Sequence, residues 1–208
     1  GERHRTRILG VVPARSGSKR LVKKNTQLLG GKTLVEHALT CAANCRDLTD
    51  IVCASDSDEV LQCAMRFFSH TPGSANTYTV KLPPSLTLDH SLLAPVVRYC
   101  IAELEVSNSA TPISTVVLLQ PTSPFRYASD LSNALVLHKR SGKNVVSVSP
   151  VPSTLEKLLL VDGSGFVQQL TSKEAQLSQH GTKIFAQNGA VYVVNRQSIY
   201  LDETWVDS

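Results

Sequence analysis

The chain has 208 residues, 42% of them hydrophobic and 18% charged, which is enough to bury the core of one globular domain. No apolar run is long enough to cross a membrane, and the polar N-terminus lacks the apolar stretch of a secretory signal. The formal net charge is +4, and nine of the 21 lysines and arginines lie in the first 32 residues, where Glu2 is the only acid. This local charge favours an anion site over a nucleic-acid surface.

Strand and helix patterns alternate along most of the chain. Short apolar runs predict strands at Ile8–Val12, Asp50–Ala54, Thr115–Leu119 and Asn144–Ser149. Helical spacing predicts helices at Thr33–Asn44, from Ser57 past Phe67, at about Ser91–Glu105, and at Ala128–Lys139 with Ser129 as a candidate cap. The βαβα order implies an α/β fold with three layers, in which a mostly parallel sheet lies between helices.

The chain changes character after Pro150. Short strand-like runs at Leu158–Val161, Phe166–Leu170 and Ala190–Val194 lie among glycines. We therefore expect a single domain over residues 1–208 that carries a small β-rich arm at about residues 150–187. An exposed apolar strand in such an arm invites pairing with a second chain.

The five cysteines are odd in number and form no CxxC pair. We expect them to be reduced and mostly buried, as in a cytosolic protein, with a metal cluster or a catalytic thiol as the alternative. They are Cys41, Cys45, Cys53, Cys63 and Cys100.

The first predicted strand ends at Pro13 in a loop of small and basic residues. Backbone N–H groups of small residues can approach an anion closely, and fixed cations offset its charge. The loop is therefore a candidate polyphosphate site, and an ordinary solvated basic turn is the alternative. Its cations are Arg15, Lys19, Arg20, Lys23 and Lys24.

Three polar loops follow three predicted strands: residues 15–25, 55–58 and 120–124. In open α/β sheets ligands bind beyond the carboxyl ends of the strands, so the three loops predict one shared pocket. Taken singly, the second loop is a helix cap through Ser57 or Asp56, and the third is a rigid turn with two prolines. The Walker and GxGxxG patterns are both absent, which argues against a P-loop kinase and a nicotinamide enzyme.

Four segments resemble, in order, those of the acylneuraminate cytidylyltransferases. They are Pro-Ala-Arg-Ser-Gly-Ser-Lys with Lys-Asn at 13–25, Ala-Ser-Asp-Ser-Asp-Glu at 54–59, Leu-Leu-Gln-Pro-Thr-Ser-Pro at 118–124 and Asn-Gly-Ala-Val-Tyr at 188–192. The resemblance implies a Rossmann-like nucleotidyltransferase fold. It also implies that CTP and an acidic 2-keto sugar of the N-acetylneuraminate type are joined to give CMP-sugar and pyrophosphate.

The resemblance also implies roles for individual residues. Ser91 would contact the nucleotide and Lys157 the sugar carboxylate. Gln120, Thr122 and Ser123 would line the sugar side of the pocket. The CTP phosphates would be held by Arg15, Ser18, Lys19, Lys24 and Asn25.

A divalent cation, Mg²⁺, is the expected cofactor, because it would bridge phosphates with the help of one or two carboxylates. Asp56 and Asp58 are candidate ligands, with helix capping as the alternative role. The expected partners are CTP and an acidic nine-carbon sugar, with no nucleic acid and no membrane. The resemblance implies a homodimer, and the expected location is the cytoplasm, with the nucleus as the alternative.

Three departures from the family pattern leave other functions open. Lys81-Leu82 stands where the family has an arginine, residues 175–186 contain no arginine, and the family's Asp-x-Asp pair toward the C-terminus is absent between Tyr192 and Ser208. The alternatives are therefore a catalytically impaired nucleotide-binding relative, a fragment of a larger enzyme, or a cytidylyltransferase for another ulosonic acid such as Kdo.

Overall fold

The computed structural model describes residues 6–16, 24–87, 93–107, 111–150, 159–161, 167–169 and 185–201. The elements in chain order are β1 (Arg7–Pro13), β2 (Leu28–Leu29), β3 (Lys32–Thr33), α1 (Leu34–Ala43), β4 (Asp50–Ser55), α2 (Asp58–His70), β5 (Asn76–Lys81), α3 (Leu93–Ser107), β6 (Ile113–Leu118), α4 (Ala128–Ser141), β7 (Val145–Pro150), β8 (Leu159–Val161), β9 (Val167–Gln169), β10 (Phe185–Asn195) and α5 (Arg196–Leu201). Short 3₁₀ turns lie at Lys24–Thr26 and Pro84–Leu86.

The main sheet has the strand order β5-β4-β1-β6-β10-β7. The pairs β4–β5, β1–β4 and β1–β6 are parallel, while β10 runs antiparallel to β6. Because the crossovers run outward in both directions from β1, the order reverses between β1 and β6. That reversal is where open α/β sheets leave a crevice for ligands.

Side chains of the sheet alternate between two apolar cores. Val12 and Val117 pack with α1, α2 and α4, whereas Val11 and Val116 pack with α3 and α5. Successive residues of a strand point to opposite faces, so both faces of the sheet are covered by helices. The predicted three-layer α/β arrangement with a mostly parallel sheet is confirmed.

Capping groups fix where the helices begin. Thr33 and Glu36 form a capping box at α1, with Glu36 N–H donating to Thr33 Oγ1 at 3.1 Å and Thr33 N–H to Glu36 Oε2 at 2.7 Å. Ser57 caps α2, because its Oγ accepts from Val60 N–H at 3.4 Å. Of the two predicted caps, Ser57 and Asp56, the structure therefore has Ser57. The prediction of Ser129 as the α4 cap is wrong, because the N-cap position is Tyr127, whose N–H donates to Asp130 at 2.8 Å.

Three features of the described fold were not predicted, namely the short helix α5 and two features of the sheets. β5 extends the sheet on the outer side of β4, and a two-residue hairpin joins β2 to β3. The hairpin turn uses Gly30 and Gly31 at φ 58° and 85°, a conformation that favours glycine.

The chain divides into two compact units, Gly1–Val146 with Gly189–Ser208, and Ser147–Asn188. The described part of the second unit includes β8 and β9, which pair antiparallel. Asn188 bridges two serines of that unit, accepting from Ser147 Oγ at 2.6 Å and donating to Ser149 Oγ at 3.0 Å. The expectation of one domain with an arm at about residues 150–187 stays a prediction.

All five cysteines are buried and free, which confirms their predicted state. Burial raises the pKa of the Cys41 thiol to about 11, so the thiolate is scarce at neutral pH. In the part of the chain that the structure describes, no helix is long and apolar enough to span a membrane.

Candidate functional site

The loops after β1, β4 and β6 meet at the carboxyl edge of the sheet. The parallel ladder continues past the strand ends, with Ala14 N–H donating to the Ala54 carbonyl at 2.8 Å and Leu119 N–H to the Val11 carbonyl at 2.9 Å. The buried Ser55 hydroxyl adds a bond to the Ala14 carbonyl at 2.6 Å. These contacts bring the first two polar loops together.

Two cavities open side by side at this edge, and both are lined by Arg15, Lys24 and Asn25. The first, which we call the Ser57 cavity, measures about 250 Å³, and its lining also includes Ser16, Ser57 and Glu59. The second, the Gln120 cavity, measures about 240 Å³, and its lining also includes Gln120, Pro121 and Thr122. The described residues of the three predicted loops therefore line two adjoining cavities.

A buried amide ties together the backbone segments that carry the two cations. Asn25 is 8% exposed, and its Nδ2 donates to the Arg15 carbonyl at 2.7 Å. This bond ties the 3₁₀ turn that carries Lys24 to the end of β1. Lys24 and Arg15 consequently border the same space, where their charges favour an anion, while Glu59 is an acid in the lining of the Ser57 cavity.

The carboxylates of the second loop already have protein partners. Asp56 accepts two hydrogen bonds from Ser16, and Asp58 pairs with the Lys81 ammonium at 2.5 Å. Among the described residues, no group of three or more His, Cys, Asp or Glu side chains is placed to hold a metal ion. Both carboxylates are therefore engaged by protein donors in this structure.

The third loop contributes to the Gln120 cavity through Gln120 and Thr122. Ser123 turns the loop back, with its N–H donating to the Gln120 carbonyl at 3.2 Å. Gly189 lies against this loop with φ 74°, and a β-carbon built there would be 3.9 Å from Gln120 Nε2 and from Ser123 Oγ. The Asn-Gly-Ala segment thus reaches the third loop through its glycine.

The structure brings together six of the ten predicted site residues, namely Arg15, Lys24, Asn25, Gln120, Thr122 and Ser123. The other four lie outside the described residues: Ser18, Lys19, Ser91 and Lys157. Their roles, and those of the six, stay predictions.

Arg126 supports the backbone beside the third loop, and the sequence analysis did not identify it. It is 7% exposed, and its Nη1 donates to the Ala190 carbonyl at 2.7 Å. Its Nε and Nη2 have no hydrogen-bond partner within the described ranges. Burial lowers the pKa of Arg126 below its ordinary value, with the neighbouring Cys41 opposing that shift. The guanidinium thus fastens the end of the third loop to β10, next to Gly189.

The position expected to carry an arginine is apolar. Leu82 is 2% exposed and packs in the core with α3, while the Lys81 ammonium is bound to Asp58. Neither side chain lines the two cavities.

A larger cavity of about 400 Å³ lies at the amino edge of the sheet. Arg7 and Asp50 in its lining bind each other through two hydrogen bonds, Nε to Oδ2 at 3.1 Å and Nη2 to Oδ1 at 2.9 Å. These groups therefore satisfy one another, and the carboxyl edge is the better candidate site.

Comparison with known proteins gives a consistent result. The family model described as "Cytidylyltransferase" matches residues 9–204. A CMP-N,N'-diacetyllegionaminic acid synthase of Legionella pneumophila is 31% identical over 194 residues, covering 93% of this chain and 80% of that protein. An N-acylneuraminate cytidylyltransferase of Escherichia coli is 24% identical over 195 residues, covering 93% of this chain but 43% of that protein.

A solved structure of CMP:2-keto-3-deoxy-manno-octonic acid synthetase complexed with CTP superposes with a TM-score of 0.67. The match covers 98% of this chain and 80% of that one at 15% identity, so it bears on the fold alone. Together with the polar loops at the carboxyl edge, the match over residues 9–204 establishes the family. The chain belongs to the cytidylyltransferases.

Proposed function

We propose that the chain joins CTP to an acidic 2-keto sugar of the N-acetylneuraminate type, giving CMP-sugar and pyrophosphate. The observation that carries the proposal is the pair of adjoining cavities that share Arg15, Lys24 and Asn25. The space bordered by Arg15 and Lys24 suits a triphosphate, and the adjoining part of the Gln120 cavity suits a hydroxylated acceptor. The similarity to a legionaminic acid synthase and to an N-acylneuraminate cytidylyltransferase supports an acidic sugar as the acceptor.

The proposed reaction is one nucleophilic substitution. The anomeric hydroxyl of the sugar attacks the α-phosphorus of CTP, the bond to the β-phosphate oxygen breaks, and pyrophosphate leaves while the hydroxyl proton passes to solvent. Such a step needs positioning and charge neutralisation more than covalent help. Arg15 and Lys24 would offset the charge that develops on the leaving pyrophosphate.

Gln120 and Thr122 would contact the sugar, since both line the cavity that adjoins the two cations. The fixed backbone of this proline-flanked loop keeps the acceptor next to the α-phosphorus. Ser18, Lys19 and Ser91 would complete the CTP contacts, and Lys157 the contact with the sugar carboxylate.

CTP would enter as its Mg²⁺ complex, because Mg²⁺ is usually held by substrate phosphates together with one or two protein carboxylates. The ion would supply charge neutralisation to the phosphates. We also propose a homodimer, for which sedimentation velocity at micromolar concentration is the test. A monomer under those conditions would contradict it.

The test of function is pyrophosphate release by the purified chain with Mg²⁺, CTP and one sugar at a time. The panel is N-acetylneuraminate, legionaminate, pseudaminate and Kdo, with ATP and UTP as nucleotide controls. We expect release with CTP and a nine-carbon sugar. Release with Kdo alone would reassign the acceptor, and a thermal shift with CTP without any release would favour the impaired relative.

A further inference from the structure

Among the described residues, Asp56 makes the shortest hydrogen bond between the second loop and the segment after β1. Its Oδ1 accepts from Ser16 N–H at 2.7 Å, and its Oδ2 accepts from Ser16 Oγ at 2.5 Å. The two residues are 40 positions apart in the chain, so the contact joins separate segments. Hydrogen bonds to an ionised carboxylate are shorter and stronger than those between neutral groups.

Asp56 completes a series of ties on three consecutive residues. Ala14 is held by Ala54 and Ser55, Arg15 by Asn25, and Ser16 by Asp56. The first two ties use buried or partly buried groups, whereas Ser16 and Asp56 meet near the surface. Without the third tie, Ser16 loses both of its hydrogen bonds to the residue that follows β4.

The same geometry argues against Asp56 as a metal ligand. Both of its oxygens are oriented by donors on one residue, and Asp58, the nearest carboxylate in the sequence, is bound to Lys81. A bare carboxylate beside a triphosphate would repel it, and the dipoles of the Ser16 N–H and O–H groups, which point at Asp56, partly offset that repulsion.

We infer that Asp56 is a positioning residue for CTP: its paired hydrogen bonds to Ser16 fix the segment that carries Arg15, and it does not ligate Mg²⁺. The inference rests on the proposed function, because it concerns how the same site holds its nucleotide.

The first experiment measures CTP affinity by calorimetry in saturating Mg²⁺ for a double-mutant cycle. Asp56→Ala removes both bonds and should weaken CTP binding about tenfold, whereas Ser16→Ala removes one and should weaken it about threefold. The double variant should match Asp56→Ala, because Ser16 Oγ has no carboxylate left to bind. Additive losses would overturn the inference.

The second experiment separates hydrogen bonding from charge. Asp56→Asn keeps an acceptor for Ser16 N–H and a polar atom for Ser16 Oγ, but it removes the negative charge that Mg²⁺ prefers. We expect its CTP affinity and its half-saturating Mg²⁺ concentration to stay within about threefold of the parent values. A tenfold or larger rise in the Mg²⁺ requirement would make Asp56 a metal ligand.

Asp47→Ala is the matched control. Asp47 also accepts from a serine hydroxyl, Ser132 Oγ at 2.7 Å, but it precedes β4 and so lies at the amino edge. Its CTP affinity should equal that of the parent chain. If Asp56→Ala does not fold, Ser16→Ala and Asp56→Asn still decide between the two roles. Failure of the parent chain to bind CTP would instead overturn the proposed function.

Discussion

Lys24 is the described cation whose role in CTP binding can be tested most directly. It borders both cavities through a turn that Asn25 fixes, so its removal should leave the fold intact. We expect Lys24→Ala to weaken CTP binding about tenfold, the loss of one charge-assisted contact. Calorimetry measures the effect, and Lys139→Ala on α4 is the control. Equal affinities for all three proteins would remove Lys24 from the phosphate site.

Arg126 is expected to matter for the sugar more than for the nucleotide. Arg126→Met loses the bond to the Ala190 carbonyl, so Gly189 and Gln120 shift, and kcat/KM for the sugar should fall about tenfold. CTP affinity should not change. Thermal stability should hold or rise, because the buried guanidinium has two donors without a partner in the described structure.

Arg126→Lys is the matching control, since lysine retains a donor for the Ala190 carbonyl. It should recover most of the sugar kinetics that the methionine variant loses. If the two variants are equally impaired, or if CTP affinity falls in parallel, the position serves the fold as a whole.

Some residues of the candidate site could be predicted from the sequence, and Arg126 could not. Arg15, Lys24 and Gln120 were identified because strand ends mark an edge where ligands bind. Arg126 was missed because a single arginine in a polar loop is usually solvated. Its burial depends on α1 and β10, which lie far from it in the chain and give no local signal.

At the scale of an element, the capping box of α1 gives the sharpest prediction. Thr33→Ala removes the acceptor for Glu36 N–H and should lower the free energy of unfolding by about 1 kcal/mol. Urea denaturation measures this loss, and CTP affinity should be unchanged. Thr33→Ser keeps the hydroxyl and should lose far less. An equal loss in both variants would point to the methyl group instead.

The strands that were predicted differ in their apolar pattern from the strands that were missed. β1, β4 and β6 are almost continuous buried runs, so their positions were readable from sequence. β5 has the sequence Asn-Thr-Tyr-Thr-Val-Lys, and five of its six residues retain solvent contact. Edge strands bury little, so their hydrophobic signal is weak. The β2–β3 hairpin did carry a signal, the glycine pair of its turn.

At the scale of the whole molecule, the Arg7–Asp50 pair joins segments that are 43 residues apart, and Arg7 Nη1 also binds the Thr111 carbonyl at 3.2 Å. Burial alone would raise the pKa of Asp50, but hydrogen bonds from Arg7, Thr49 and Asn76 outweigh it, so this pKa lies below its ordinary value. The ion pair therefore stabilises the folded chain while Asp50 is ionised.

We expect Asp50→Asn to lower the free energy of unfolding by about 3 kcal/mol near neutral pH, because Arg7 is left buried without its counter-charge. Since the folded-state pKa of Asp50 is depressed, its contribution is complete above the unfolded pKa of about 3.9 and is lost as the pH falls through the folded value. Urea unfolding at several pH values should show the parent and variant converging in acid. A constant difference would contradict this assignment.

The polarity of the parallel strands separates the groups that stabilise this molecule from those proposed to contact its ligands. The Arg7–Asp50 network lies at the amino edge, while Arg15, Lys24 and Gln120 lie at the carboxyl edge. Substitutions in the loop proposed to contact the sugar should therefore leave the Arg7–Asp50 ion pair intact. In directed evolution, a library confined to residues 120–123 would test sugar specificity. Stabilising substitutions at the amino edge could be introduced separately to raise the melting temperature.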